Sequence, residues 1–243
     1  MLELLWNAPV SGLKMAEVFE TLDLRPGQSV LDVGCGSGEV LIRLHERCQI
    51  QGVGIDVSEE QIREARRRAE GRVDGTAIRF LQVDARTLEI APESVDLALC
   101  LGSTHAFGLG NAAYGSALQR LRHWVTPGGL VLVGDLYLKH PASPEYRAVI
   151  GDFPPDDRTH AANVGIGRDL GLVPLTAWTS NLDEWDQFEW GHQRNIERLA
   201  AEGEVTPETT AKLNHRRLWM DAYLQWGRET LGYGTYLFQR PSG

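Results

Sequence analysis

Along the first half of the chain, apolar residues fall into short unbroken runs, each followed by a stretch of helical period. Residues 29–33 read as a buried strand, 39–47 as a helix with Val40, Leu41 and Leu44 inward, and 51–55 as a second strand. Ser58, with Gln61 three residues on, has the pattern of a capping box, and its helix ends near Glu70 at Gly71. Residues 77–82 and 95–101 read as two more strands, the latter apolar apart from Asp96 near its start. A helix over 111–124 and a fifth strand over 130–133 follow, the strand entered through Pro127-Gly128-Gly129. Continuous apolar strands alternating with helices imply a parallel sheet covered on both faces.

The second half is less regular. Residues 137–155 read as a loop with a short helix, 158–170 as a helix stopped by Gly171, and 172–179 as a sixth strand. Two long helical stretches, 182–202 and 207–229, separate it from a last strand over 231–239. No composition break or linker divides the chain, so one domain over 1–243 is expected, with residues 181–230 as a helical insertion or cap within it.

Composition narrows the function classes. The formal net charge of −9 disfavours a phosphate backbone as partner, and the run Arg66-Arg67-Arg68 reads as the solvated face of a helix. Three cysteines with no zinc or redox spacing point to a reducing, cytoplasmic setting and to no structural metal. No apolar run is long enough to span a membrane, and residues 1–10, acidic at Glu3, lack the basic start of a secretory signal.

The chemistry concentrates in the turn after the first strand. Gly34, Gly36 and Gly38 lie between a strand and a helix, an arrangement that lets backbone approach a ligand closely and presents free N–H donors. Asp56, at the end of the second strand, is spaced to accept hydrogen bonds from ribose hydroxyls. A dinucleotide fingerprint needs a third glycine where this chain has Glu39, whose carboxylate would repel a pyrophosphate. A phosphate-free ligand with a cationic centre fits better, and Asp32 suits an ammonium group.

These segments resemble a known family. Residues 31–38, Leu-Asp-Val-Gly-Cys-Gly-Ser-Gly, are similar to the first motif of class I S-adenosylmethionine-dependent methyltransferases. Gly54-Ile55-Asp56-Val57-Ser58, Gln82-Val83-Asp84-Ala85, the strand from Val95 and the turn Val125-Thr126-Pro127-Gly128-Gly129 are similar to the next four, in order. The resemblance implies a Rossmann-like α/β fold, a mostly parallel seven-stranded sheet in the order 3-2-1-4-5-7-6 with the last strand antiparallel. It implies S-adenosylmethionine as cofactor, held by Asp32, Gly34, Cys35, Gly36, Gly38, Asp56, Val57, Asp84, Ala85, Leu101 and Gly102. The whole chain also resembles a narrower group of uncharacterised bacterial small-molecule methyltransferases. There Gly102-Ser103-Thr104 follows the fourth strand, and a Trp-Asp-x-Phe/Tyr-Glu element like residues 185–189 follows the sixth.

Ligands of open α/β sheets lie at the carboxyl ends of the strands. The loop over 101–109 therefore belongs beside the transferable methyl, with His105 as the catalytic candidate that orients or deprotonates an acceptor; a merely pocket-lining histidine is the alternative. Asp135, Tyr137 and His160 are further candidates, and Trp6, Asn7 and Pro9 form a candidate lid. Trp185, Trp190, Trp219, Tyr223 and Trp226 read as a water-excluding cap over an apolar acceptor pocket, as plain helix packing, or as a homodimer surface. Glu189 and His192 have ligand spacing but no partner cluster, so no metal is expected. The expected function is methyl transfer from S-adenosylmethionine to a small molecule by direct displacement. A dinucleotide-dependent oxidoreductase and a non-catalytic S-adenosylmethionine-binding module are the alternatives.

Overall fold

The computed structural model describes residues 5–108, 110–151, 154–203 and 206–243. Leu109, at the end of the loop proposed to face the acceptor, and Glu3 lie outside the described residues. The elements in order are α1 (Gly12–Thr21), β1 (Ser29–Val33), α2 (Glu39–Cys48), β2 (Gln51–Asp56), α3 (Glu59–Ala69), β3 (Ile78–Gln82), β4 (Val95–Leu101), α4 (Ala113–Trp124) and β5 (Val125–Leu138). They continue with α5 (Pro144–Ile150), α6 (His160–Asp169), β6 (Val173–Thr179), α7 (Leu182–Glu202), α8 (Pro207–Ala222) and β7 (Leu231–Gln239). The seven strands form one sheet in the order β3-β2-β1-β4-β5-β7-β6, with β7 antiparallel to both its neighbours and the other pairs parallel. This is the Rossmann-like architecture and strand order the sequence implied.

Two apolar layers enclose the sheet. One packs α1, α2, α3 and α8 against it through residues such as Met15, Leu41, Ile62 and Met220. The other packs α4 and α6 through Tyr114, Leu118, Trp124 and Ile166. Asp96, the polar break in the β4 run, accepts the Ser29 backbone N–H at 2.7 Å and its hydroxyl at 2.9 Å, so the carboxylate ties β1 to β4. Ser58 caps α3 by accepting from the Gln61 N–H.

Three local expectations are corrected. The fifth strand runs on through Leu138, because β7 pairs with it from Leu130 to Leu138 and supplies the backbone partners a loop would lack. The helix expected from residue 158 begins at His160. Thr159 caps it, while Arg158 turns inward, 3 % exposed, over the Tyr114 ring. The last long helix is interrupted. After Ala222 the chain widens into a π-helical turn, Tyr223–Gly227, then one α-helical turn, Arg228–Thr230. The wider turn seats Tyr223 against Trp185 with its hydroxyl 2.7 Å from Asp186, and Gly227 lets the backbone pass the Tyr146 hydroxyl.

Candidate active site

The β1–α2 turn owes its shape to glycines. Gly34, Gly36 and Gly38 all have positive φ, and a Cβ on Gly34 would lie 2.3 Å from the Cβ of Ser103. The Gly34 and Cys35 N–H groups donate to the Ile55 carbonyl, and the Gly36 N–H donates to Asp56 Oδ2 at 3.0 Å. Asp56 Oδ1 accepts the Ser58 N–H, which fixes the carboxylate at the mouth of β2.

A cleft of 540 Å³ is thereby framed, and Asp32, Gly34, Cys35, Gly36, Asp56, Leu101 and Gly102 line it together. Gly38 lies outside that lining: it is the N-cap of α2, and a Cβ there would strike Phe80 and Ala65. Its proximity to the helix start is a packing requirement. At the floor of the cleft, Asp32 is 3 % exposed and accepts no hydrogen bond from the described residues. Burial, and next the charge of Asp56, push its carboxyl up to about 8. A cationic amino group is the partner such a carboxylate fits.

Glu39 also borders the cleft, yet its charge is held elsewhere. Arg43 and Arg72 bind the buried carboxylate at 2.6 and 2.9 Å. Burial alone would raise its pKa, but the hydrogen bonds from Arg72 and Arg43 outweigh that and hold it below the ordinary range. Repulsion of a pyrophosphate is thus weaker than its sequence position implies. Of the basic run, Arg66 and Arg67 are exposed on α3, as a solvated face would be, and donate to the Phe80 carbonyl and to Glu64, while Arg68 is half-buried and also donates to Glu64.

Asp56, Val57, Asp84 and Ala85 line a neighbouring hollow that shares Gly34, Asp56, Ser103 and His105 with the cleft. Val57 is 70 % exposed there, an apolar surface for a flat ring. Asp84 is held below its usual range, to about 2, by hydrogen bonds from the side chain and backbone of Arg86.

Beyond Gly102 lies a separate chamber of about 410 Å³. It is walled by Thr104 after β4, Asp135 within β5, and Trp185, Phe188, Glu189 and Trp219 from α7 and α8. It meets the cleft at Asn7, Gly102 and His105, and His105 borders the cleft, the hollow and the chamber alike. Asp135 is buried, accepting the Thr104 hydroxyl and the Leu136 N–H at 2.7 Å each, with Arg158 at 3.5 Å. Burial raises its carboxyl above the ordinary range against those contacts.

Tyr137 and His160 do not reach the chamber. Their rings meet at a tilt, centroids 5.4 Å apart, beside Tyr236, and the Tyr137 ring fills the space left by Gly232 across the sheet. The aromatics of the last helices divide. Trp185 and Trp219 line the chamber, Tyr223 and Trp226 pack against Trp185 and Tyr146, and Trp190 is 46 % exposed. Glu189 and His192 do not converge: Glu189 binds Arg216, while His192 meets Asn7 at 3.2 Å.

The segment before α1 crosses above both spaces. Leu5, Trp6 and Asn7 border the cleft, Asn7 and Pro9 the chamber, and the Asn7 carbonyl is 3.1 Å from where a Gly102 Cβ would stand. Glu184 anchors this strap by accepting the Ser11 N–H at 2.9 Å and pairing with Lys14. Phe188 and Tyr233 were missed by the sequence reading. Residues 185, 188, 189 and 192 carry the i, i+3, i+4, i+7 stripe of one helix face, a signal that was present. Tyr233 sits in a strand with no distinguishing period, its hydroxyl tucked beside Gly134 and without a partner in the described residues.

A glycine turn, a buried acid at its floor and an acid fixed at the end of β2 meet at the carboxyl edge of this sheet. Residues 30–129 match the model of a methyltransferase domain. The chain belongs to the class I S-adenosylmethionine-dependent methyltransferases, and S-adenosylmethionine is its cofactor. It is 30 % identical over 233 residues to the YjhP protein of Escherichia coli K12, covering 94 % of this chain and 91 % of that one. A S-adenosylmethionine-dependent methyltransferase of Geobacter sulfurreducens, solved in complex with S-adenosyl-L-homocysteine, superposes with a TM-score of 0.83 at 25 % identity, covering 96 % and 92 % of the two chains. The 27-O-demethylrifamycin SV methyltransferase of Amycolatopsis mediterranei is 29 % identical over 201 residues, 76 % of this chain and 71 % of that one. No helix of the described residues is long and apolar enough to cross a membrane.

Proposed function

We propose that this enzyme transfers the methyl group to a small molecule held in the chamber, by direct displacement at the meeting point beside His105. The carrying observation is that the donor cleft, the neighbouring hollow and the chamber share His105 as a common wall. S-adenosylmethionine supplies a methyl group already activated on a sulfonium. The protein's own work is placement. Asp32 receives the amino group, the turn from Gly34 to Gly36 and Cys35 cradles the chain beside it, and Asp56 accepts from the ribose. Val57, Asp84 and Ala85 border the adenine, and Leu101 and Gly102 abut the sulfur end. Bringing two reactants into line accounts for much of the barrier reduction in such a displacement.

His105 orients the acceptor and takes its proton where one must leave; it is exposed enough to pass that proton to water. The strap over 5–11 and the α7–α8 pair exclude water as a cap within one domain. The rifamycin relative's acceptor and the size of the chamber support a small molecule over a macromolecule. The net charge of −9 argues against nucleic acid, and the free cysteines suit a reducing cytoplasm.

Incubation with S-adenosylmethionine labelled in the methyl group and a metabolite extract tests this reading: labelled small-molecule product is expected, and label recovered only in macromolecules would overturn it. Asp56→Ala is expected to weaken S-adenosylhomocysteine binding by about 1–3 kcal/mol, the cost of hydrogen bonds to a charged group. Calorimetry reads it directly. For His105→Ala, turnover is expected to fall while affinity for the same ligand holds, and equal losses in both would make it a donor-site residue.

A further inference from the structure

The charges of the chamber select among acceptors. Asp135 and Glu189 line it, and no Lys or Arg of the described residues does. Their counter-ions stand behind them: Arg158 at 3.5 Å from Asp135, and Arg216 at 2.5 Å from Glu189. On Glu189 both side-chain hydrogen bonds, from Arg216 and from Trp219 Nε1, fall on Oε2. Oε1 accepts none from the described residues, although Glu189 is only 2 % exposed. Oε1 itself keeps some solvent contact in a residue that lines the chamber, so it is free to accept from a ligand held there. Trp185, Phe188, Trp219 and Tyr233 line the same chamber, and aromatic faces attract cations and repel anions. A phosphate or carboxylate on the ligand meets no lysine or arginine in this lining, and a phenolate meets two carboxylates.

We propose that the chamber binds an apolar amine and that its nitrogen is the methyl acceptor, received by Glu189 Oε1, Asp135 and the faces of Trp185 and Trp219. This rests on the methyl-transfer reading above. An amine arriving as its ammonium gives a proton to His105, which passes it to water. The neutral nitrogen's lone pair then forms the new N–C bond as the methyl C–S bond of S-adenosylmethionine breaks. The electron pair of that bond stays on sulfur, leaving S-adenosylhomocysteine and an N-methylammonium. The positive charge, carried by the sulfonium before the step, ends on nitrogen between the rings and carboxylates. The chamber is thus matched to charge that appears on the acceptor as the reaction proceeds.

The test uses the full chain saturated with S-adenosylhomocysteine, so that no sulfonium repels the probe. Benzyltrimethylammonium and neopentylbenzene, in which carbon replaces the nitrogen, are titrated in turn by calorimetry. The cation is expected to bind at least about tenfold more tightly than its neutral twin. Glu189→Gln is expected to erase most of that preference while S-adenosylhomocysteine affinity, which also reports folding, is kept. Equal affinities, a tighter neutral ligand or no binding of the cation overturns the proposal, and this comparison is made on the unmodified protein. A turnover arm compares 2-phenylethylamine with 2-phenylethanol, and methylation of the alcohol alone also overturns it. Failure of the underlying methyl-transfer reading is distinguishable, because it appears as no labelled small-molecule product from the metabolite extract while the preference for the cation is kept.

Discussion

Asp32→Asn is expected to flatten the pH dependence of donor binding and, in the ligand-free protein, to raise the melting temperature. The buried carboxyl is pushed up to about 8, so near neutral pH it is mostly protonated when the cleft holds no ligand. An amino group needs the carboxylate, and binding therefore expels a proton. Between pH 6 and 8 the affinity of the unmodified enzyme for S-adenosylhomocysteine should rise by more than about tenfold, tracking ionisation of this one group. The sign for stability is opposite. The fold favours the neutral acid, so stability present at acid pH is lost as pH rises from the ordinary carboxylate range through about 8. Asparagine escapes that loss, and its advantage in melting temperature should grow with pH. A variant with the same pH slope for binding as the parent would place the ligand's amino group elsewhere.

Gly34→Ala is the second large effect. With φ at +71° and the added Cβ only 2.3 Å from that of Ser103, the turn cannot keep its path. A strained φ and a backbone-level clash together cost on the order of 2–4 kcal/mol in stability. Donor affinity should fall by about two orders of magnitude, since the shifted turn walls the cleft beside Asp32 and fixes Asp56 through the Gly36 N–H. Thermal melts and calorimetry measure the two losses. Adding Ser103→Gly removes the atom that is struck but leaves φ unchanged, so the double variant should recover part of the stability and show non-additive coupling. Simple additivity would mean that strain in φ is the whole effect.

Asp32 and Gly34 stand out in the sequence by their spacing, and the reason is physical. A turn that must bring backbone to a ligand has few solutions, so Gly34, Gly36, Asp32 and Asp56 occur at fixed spacing along one short stretch. The sheet was equally legible, because buried parallel strands are unbroken apolar runs. What sequence concealed was context. The end of β5 reads as a loop until β7 is laid beside it, and Arg158 reads as helical until its place over Tyr114 is known. Glu39 reads as a free charge until Arg43 and Arg72, the latter 33 residues away, are brought to it. The chamber was least legible. Its wall joins β5 near residue 135 to helices beyond residue 180, and no local pattern encodes that meeting. Trp185 and Trp190 illustrate the limit: both are tryptophans of one helix, yet one lines the chamber and the other faces outward.

The position of α7 and α8 in the chain has a consequence for how such an enzyme can diversify. The cleft proposed to hold the donor is lined by residues of the first half apart from His192. Four chamber residues, Trp185, Phe188, Glu189 and Trp219, are side chains on two helices inserted between β6 and β7. Substitutions there can reshape what is methylated without touching the β1–α2 turn. Retargeting by mutagenesis should therefore begin on the 185/188/189/219 surface, where a library explores new acceptors while the investment in donor recognition is carried forward unchanged.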